Sequence, residues 1–166
     1  MATRSTIAVE LADGAVHQVY CHFDGYPSNN GKILLEHYTD PDLALALIAH
    51  GGISVLKPEI GVQRPFANPG KYASAEYLEF NEQYGNQCLF YTRDRGEKLQ
   101  VNTYWNFEMY SLSHPREEYA YCLRQDGKWY MAADDRDFVE LAAHDALDRG
   151  DHDIAIALIE LIKKNS

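Results

Sequence analysis

Cysteine is scarce in this sequence, and the three that occur, Cys21, Cys88 and Cys122, form no CxxC pair. An odd and widely spaced set argues against a disulfide framework and against a zinc knuckle. Each lies in an apolar, strand-like stretch, where a free cysteine packs as a small hydrophobic residue. We therefore predict buried free thiols, which suit a reducing compartment.

Long apolar runs are also lacking, since the longest stretch, Leu43–Ile48, is far too short to span a bilayer. No hydrophobic run follows a basic start at the N-terminus, as a signal peptide would require. These absences predict a cytoplasmic protein without membrane attachment.

Common catalytic and cofactor-binding signatures do not occur either. The chain has no P-loop, GxGxxG, GxSxG, HExxH or EF-hand pattern. We therefore predict no catalytic residue, no cofactor and no metal, and we favour a non-catalytic function.

Basic residues are outnumbered, with 15 against 25 acidic ones and a formal net charge of −10. Residues 1–60 contain seven acidic and three basic residues, residues 61–110 contain six and five, and residues 111–166 contain twelve and seven. Such a surface repels phosphate backbones, which argues against direct nucleic-acid binding. It suits either ordinary solubility or the docking of a basic partner.

The chain does contain enough apolar sequence for a core, because 46% of its 166 residues are hydrophobic. We predict one domain spanning residues 1–166. Three turn sequences, Asp13-Gly14, Asp94–Glu97 and Asp126-Gly127, predict three hairpins. The flanking strands are Thr6–Leu11 with Val16–Phe23, Gln87–Arg93 with Leu99–Trp105, and Glu117–Gln125 with Lys128–Ala133. A two-residue third turn would pair Cys122 with Met131 and Leu123 with Tyr130.

Helix signals separate and follow these hairpins. Capping residues, first-turn proline and terminal glycine predict helices at Lys32–Tyr38, Asp40–His50, Ala75–Tyr84, Arg136–Asp148 and Asp151–Lys164. Leu43, Leu47 and Ile48 should face the core, and Lys57–Ala73, rich in proline and glycine, should be irregular. The predicted fold class is α+β: an antiparallel sheet built from three hairpins, with packed helices and a C-terminal αα-hairpin over residues 135–166.

The stretch Tyr20–Pro27 concentrates reactive side chains at the end of a predicted central strand. Neighbours in a strand point to opposite faces, so Cys21 and His22 should not meet, whereas His22 and Asp24 share a face if the strand continues. The candidate ligand-binding residues are His22, Asp24, Tyr26 and Asn30. The alternative is a core cysteine beside a His–Asp pair that anchors the loop.

Acidic residues surround the turn of the predicted C-terminal αα-hairpin. The candidate partner-binding residues are Glu140, Asp145, Asp148, Asp151 and Asp153. They can form a docking face for a partner with a basic surface, or an ordinary solvated face. The spacing of His144, Asp148 and His152 can bind a metal, but solvated helix-end charges are far commoner.

Three aromatic groups lie on neighbouring predicted hairpins: Tyr104-Trp105, Tyr119 with Tyr121, and Trp129-Tyr130. They can line a ligand groove or a protein-binding face. Packing under the helices is the favoured interpretation.

The segments Thr3–Val9, Val19–Tyr26 and Asn29–Tyr38 resemble small acidic proteins encoded by phages and prophages, and the likeness extends weakly to about Leu56. The resemblance implies a phage or mobile-element origin and a location in the host cytoplasm, and it implies no catalytic residues. Small acidic phage proteins often bind and block a host protein, defence nucleases included.

We therefore expect a non-catalytic phage-type accessory protein that binds and inhibits a host protein, such as a component of CRISPR or another defence system. A small-molecule or nucleotide-binding protein or enzyme, with a pocket near His22 and Asp24, is the first alternative. A phage structural or assembly protein is the second. The sequence predicts no particular oligomeric state.

Overall fold

The computed structural model describes residues 2–66, 70–72, 74–113, 118–133 and 137–142. Within them, eight strands form one mixed sheet with five accompanying α-helices and one π-helical turn, Pro27–Gly31, which confirms the α+β class. The strands are β1 (Ser5–Glu10), β2 (Val16–Cys21), β3 (Ile53–Val55), β4 (Leu89–Phe90), β5 (Asn102–Tyr104), β6 (Tyr119–Leu123), β7 (Trp129–Ala133) and β8 (Val139–Glu140). The helices are α1 (Lys32–His37), α2 (Pro41–Ala49), α3 (Ala75–Tyr84), α4 (Tyr91–Arg95) and α5 (Phe107–Ser113).

The strand order is β4-β3-β2-β1-β6-β7-β8, and β5 also pairs with β2. Most neighbours are antiparallel, but β1 pairs with β6 in parallel, and β2 pairs with β3 in parallel. The predicted wholly antiparallel sheet is therefore wrong. Long connections return the chain to the same end of the sheet, as parallel pairing requires.

The first and third predicted hairpins form, but each turn has three residues rather than two. The loops are Ala12–Gly14 and Gln125–Gly127, whose glycines have φ of 93° and 80°. A type I′ turn gives a two-residue loop, whereas a type I turn followed by a left-handed glycine gives a three-residue loop. Cys122 consequently pairs with Tyr130 and not, as predicted, with Met131.

The predicted second hairpin does not form, because α4 takes the place of its turn and β5 pairs with β2 instead of β4. The carboxylate of Asp94 accepts the backbone N–H of Phe90 at 2.7 Å and that of Arg64 at 3.0 Å. These bonds hold the first turn of α4 and tie it to the preceding irregular segment. Gly96, with φ of 78°, ends the helix.

The helices α1, α2 and α3 confirm the sequence prediction. Asp40 caps α2 by accepting the N–H of Asp42, and Ser74 caps α3 by accepting the N–H of Tyr77. Leu43, however, is exposed rather than in the core, where α2 instead contributes Ala44 beside the predicted Leu47 and Ile48.

The segment after α2 and β3 is irregular, as predicted. Its described residues, 57–66 and 70–72, contribute no helix or extended strand, and a single bridge joins Glu59 to Gln87.

The predicted C-terminal αα-hairpin is wrong at Val139–Glu140, whereas residues 141–142 are helical as predicted. Val139 and Glu140 form β8, which pairs with β7 where a helix from Arg136 was predicted. The open edge of β7 supplies hydrogen bonds, and the β-branched Val139 after Phe138 favours a strand. Residues 143–166, which contain the rest of the predicted hairpin, lie outside the described residues.

The two faces of the sheet carry apolar layers of unequal size. The larger layer joins α1 and α2 to Ile7 and Val9 of β1, whereas the smaller one joins Ala8 to Tyr110 of α5. Because α5 is a short helix over this small layer, much of its surface faces outward. No helix in the described parts of the chain is both long and apolar enough to cross a membrane.

Candidate functional site

The imidazole of His22 is held by aromatic neighbours and not by Asp24. Its Nδ1 lies 2.5 Å from the hydroxyl of Tyr20, and the ring of Phe23 packs edge-on with centroids 4.4 Å apart. Strand β2 ends at Cys21. The alternation that would have placed His22 and Asp24 on one face therefore stops before either residue.

The other three candidate ligand-binding residues belong to one folded loop after β2. Asp24 has φ of 56°, a left-handed conformation uncommon outside glycine. Its carbonyl accepts the N–H of Asn30 at 3.2 Å, and its carboxylate lies 3.5 Å from the hydroxyl of Tyr26. The loop closes on itself and leaves the side chains of Asp24 and Tyr26 exposed.

Asn30 is fully buried and anchors this loop to the sheet. Its Nδ2 lies 3.4 Å from Oγ of Ser5, 3.3 Å from Sγ of Cys21 and 3.4 Å from the carbonyl of Phe23. Its Oδ1 accepts from the side chain of Asn29 at 3.0 Å. Because both ends of the amide are engaged within the protein, the geometry supports an anchoring role for Asn30.

The backbone of Gly25 completes the attachment of the loop. Its N–H donates to the carbonyl of Thr3 at 2.8 Å, and its carbonyl accepts the buried hydroxyl of Tyr121 at 2.6 Å. A Cβ at this position would lie 2.8 Å from the carbonyl oxygen of Thr3. The loop is therefore fixed to β6 and to the segment just before β1 at a point where only glycine fits.

The three cysteines are free and buried, as predicted. Burial raises the pKa of Cys21 to about 12, and it also raises the pKa values of Cys88 and Cys122. A thiol must ionise to act as a nucleophile. The cysteines are therefore suited to packing and not to nucleophilic chemistry.

A cavity of about 360 Å³ is lined by Tyr20, whose hydroxyl contacts His22. Its walls include Gly52, Tyr91, Lys98 and Asn102, but none of the four candidate ligand-binding residues. This volume is near the lower limit for small-molecule sites. The His22 loop and this cavity are thus separate features of the surface.

Apolar side chains are exposed where β5 leads into α5. Trp105 is 83% exposed and Leu112 is 80% exposed, and Met109 is also exposed. Met109 and Leu112 are three residues apart and so share one face of α5, whereas Phe107 and Tyr110 face the smaller apolar layer. We call Trp105, Met109 and Leu112 the Trp105 surface.

Acidic side chains flank the Trp105 surface. Asp13 and Trp105 line the same shallow groove, and Glu108 is exposed on α5. The cation Arg124 lies over the ring of Phe107 at 3.7 Å and is paired with Glu10 at 3.2 Å. The surface therefore combines exposed apolar groups with negative charge.

The structure describes only one of the five acidic residues predicted to form a docking face, Glu140. Glu140 is buried in β8, with Oε1 3.9 Å from Nζ of Lys128 and with Oε2 lacking a hydrogen-bond partner among the described residues. It therefore cannot contribute an exposed acid to such a face. Asp145, Asp148, Asp151 and Asp153, and the histidines His144 and His152, lie outside the described residues. In the parts of the chain that the structure describes, no three metal-binding side chains come together.

Sequence reasoning missed the exposure of Trp105, because all the aromatic groups were expected to pack under the helices. Trp129 does so, with Nε1 donating to the carbonyl of Tyr38 at 3.0 Å. The sequence did contain one residue that could have indicated the exposure of Trp105, the helix-capping residue Asn106. Its Oδ1 accepts the N–H of Met109 at 2.9 Å. A helix cap at Asn106 places Trp105 before the helix and outside its packed face.

Comparison with known proteins finds no matching family model, no similar curated protein and no similar solved structure. The resemblance of the N-terminal segments to phage proteins therefore stays a prediction.

Proposed function

We propose that this α+β domain is a non-catalytic binding protein that docks on a host protein through the Trp105 surface and inhibits it. The observation that carries the proposal is the 83% exposure of Trp105 together with the 80% exposure of Leu112. Large exposed apolar side chains that lie close together often mark interaction sites, and Trp105 and Leu112 are seven positions apart in the sequence. Tryptophan is also strongly enriched among the residues that dominate binding energy.

The size of the exposed side chains is sufficient for an interface anchor. Burying about 200 Å² of a tryptophan at about 25 cal/mol per Å² contributes about 5 kcal/mol before the costs of association. Met109 and Leu112 would extend the apolar centre along α5. Such a centre inside a polar rim matches the usual anatomy of a protein interface.

The charge around this surface indicates the chemistry of the partner. Asp13 and Glu108 flank it, and the whole chain carries a formal net charge of −10. An apolar cleft bordered by lysine and arginine would complement both properties and would speed association. We therefore propose a partner with a basic surface around an apolar cleft.

The likeness to phage proteins supports a host protein as this partner. Components of defence systems, CRISPR nucleases included, are the first to test, because small acidic phage proteins often act by blocking such proteins. Under this proposal the protein inhibits by occupying a surface, so inhibition should be stoichiometric.

The test compares the double variant Trp105→Ala, Leu112→Ser with the control Leu78→Ser, which removes an exposed leucine from α3. Each protein is used to capture partners from host lysate, and the recovered partner is purified for titration calorimetry and activity assay. We expect at least a tenfold loss of affinity and of inhibition for the double variant, with the control unchanged. Both variants should unfold within about 0.5 kcal/mol of wild type, since the altered side chains are exposed.

The proposal fails if the double variant binds and inhibits as the control does. It also fails if the only change is in self-association, measured by sedimentation, because a second copy of this chain would then be the occupant. If this protein is recovered in stoichiometric amounts only from assembled virions, the Trp105 surface would instead bind another phage protein during assembly.

A further inference from the structure

A second cavity lies between α3 and the irregular segment at residues 57–66, away from the Trp105 surface. Its volume is about 380 Å³, and it is lined by the cationic side chains of Lys57 and Arg64. The aromatic rings of Phe66, Tyr77 and Phe80 also contribute to its walls. None of its described lining residues is acidic, which is unusual in a chain with a formal net charge of −10.

Within the described parts of the chain, the guanidinium of Arg64 contacts backbone carbonyls and forms no direct ion pair with a carboxylate. Its Nη1 donates to the carbonyls of Tyr84 and Gln87, both at 3.2 Å, and its Nε is buried without a hydrogen-bond partner. The nearby carboxylate of Asp94 is engaged by the guanidinium of Arg93 at 2.9 and 3.1 Å. Among the described residues, neither Arg64 nor Lys57 forms an ion pair.

Aromatic rings hold the Arg64 guanidinium in place at the cavity wall. Its central carbon lies 5.1 Å from the ring centroid of Phe80 and 5.3 Å from that of Tyr84. Burial lowers the pKa of Arg64 although the nearby charge of Asp94 acts to raise it, which agrees with a guanidinium that has lost part of its water. A half-buried cation such as Arg64 gains more from an incoming anion than a fully exposed one does, because less water screens the pair.

The segment that carries Arg64 is fixed before any ligand arrives. Nη1 of Arg93 donates to the carbonyls of Ile60 and Gly61 at 2.9 and 3.1 Å, and the backbone N–H of Arg64 donates to Asp94 at 3.0 Å. The N–H of Val62 donates to the side chain of Gln87 at 3.1 Å. A site held by such bonds loses little conformational entropy when a ligand binds.

We propose that this cavity binds a small organic anion that carries a flat aromatic ring. The anionic group, a carboxylate or a phosphate, would bind between Lys57 and Arg64, and the ring would stack in the aromatic part of the cavity. A cavity of about 380 Å³ fits a ligand of one or two rings. The site is independent of the proposed docking of a host protein.

The experiment is titration calorimetry of the full chain with four probes at low salt. Benzoate and adenosine 5′-monophosphate combine a ring with an anion, whereas inorganic phosphate and adenosine each have only one of the two. We expect benzoate or the nucleotide to bind at least about tenfold more tightly than phosphate and adenosine, a difference of about 1.4 kcal/mol. Tighter binding of benzoate would show that the site prefers a carboxylate, and tighter binding of the nucleotide would show that it prefers a phosphate. Raised salt should weaken the binding.

The variants Arg64→Gln and Lys57→Gln should each weaken binding of the preferred probe by about tenfold or more. Arg4→Gln removes the same charge from an exposed position just before β1 and should leave the affinity unchanged. If Arg64→Gln fails to fold, Lys57→Gln and Phe66→Ala provide the same comparison. The proposal is overturned if neither ring-bearing anion binds more tightly than about 10 mM, or if Arg4→Gln weakens binding as much as the cavity variants do.

Discussion

Replacing Asp94 with asparagine should destabilise the fold strongly, although the two side chains have nearly the same size. The carboxylate of Asp94 is fully buried and accepts the backbone N–H of Phe90 at 2.7 Å and that of Arg64 at 3.0 Å. It also binds the guanidinium of Arg93 through Nε at 2.9 Å and Nη2 at 3.1 Å. Asparagine removes the charge and turns one of the two acceptors into a donor.

The expected magnitude follows from the burial of this ion pair. Removing one partner of a buried pair leaves the other charge uncompensated and costs about 3–5 kcal/mol. The free energy of unfolding of a domain is about 5–15 kcal/mol. Asp94→Asn should therefore remove about a fifth or more of the free energy of unfolding, measured by urea unfolding with far-UV circular dichroism.

A matched control is available on the same stretch of chain. Glu97→Gln removes the same charge from an exposed pair, in which Oε2 of Glu97 lies 3.7 Å from Nε of Arg95. That change should cost at most about 0.5 kcal/mol. A loss below about 1 kcal/mol for Asp94→Asn, or a loss equal to that of the control, would refute the reasoning.

Two further predictions concern the loop after β2 and the cysteines. Gly25→Ala should lower the free energy of unfolding by about 1–3 kcal/mol, because its Cβ would lie 2.8 Å from the carbonyl oxygen of Thr3; a change below about 0.5 kcal/mol in urea unfolding would contradict this. Burial raises the pKa of Cys21 from 9.0 to about 12, so the fold favours the neutral thiol. That stabilisation is complete below pH 9 and is lost as the pH rises toward 12. Urea midpoints should fall over this range and fall less in Cys21→Ala, and a thiol reagent should label the native protein far more slowly than the unfolded one. Equal pH dependence in the two proteins, or rapid labelling of the native state, would be evidence against a buried thiol at Cys21.

The elements that could be predicted from the sequence are those set by interactions between residues less than one helical turn apart. Ser74 caps α3 and Asp40 caps α2 through hydrogen bonds to residues two or three positions away, and both helices begin where predicted. Such bonds depend on side chains that are already neighbours in the sequence. Local chemistry was therefore sufficient to place these helices.

Elements that depend on distant partners were not predicted. Asp94 is a plausible turn residue by composition, but its hydrogen bond to Arg64 joins residues 30 positions apart and favours a helix instead. The parallel pairing of β1 with β6 brings together residues that are 114 positions apart, such as Thr6 and Ala120. Neither contact leaves a periodic pattern in the sequence.

The candidate site shows the same division between local and distant information. The loop from Asp24 to Asn30 was recognised from its turn residues, but the buried amide of Asn30 is held by Ser5, which lies 25 positions earlier in β1. The cavity at Arg64 has no local signature, because Lys57, Arg64 and Tyr77 meet only after the irregular segment packs on α3. A sequence can therefore indicate that a loop is ordered without showing which of its side chains remain available.

The third hairpin was a case where the sequence held enough information to correct its predicted register. Leu123, predicted opposite Tyr130, pairs with Trp129, and both belong to the larger apolar layer. Cys122 faces the smaller layer, whereas Met131 faces the larger one. Directly opposed residues in an antiparallel pair share a face, so the two-residue turn would have joined Cys122 and Met131 across different layers. Adding one residue to the turn resolves that conflict, because the largest apolar side chains of both strands then face the same core.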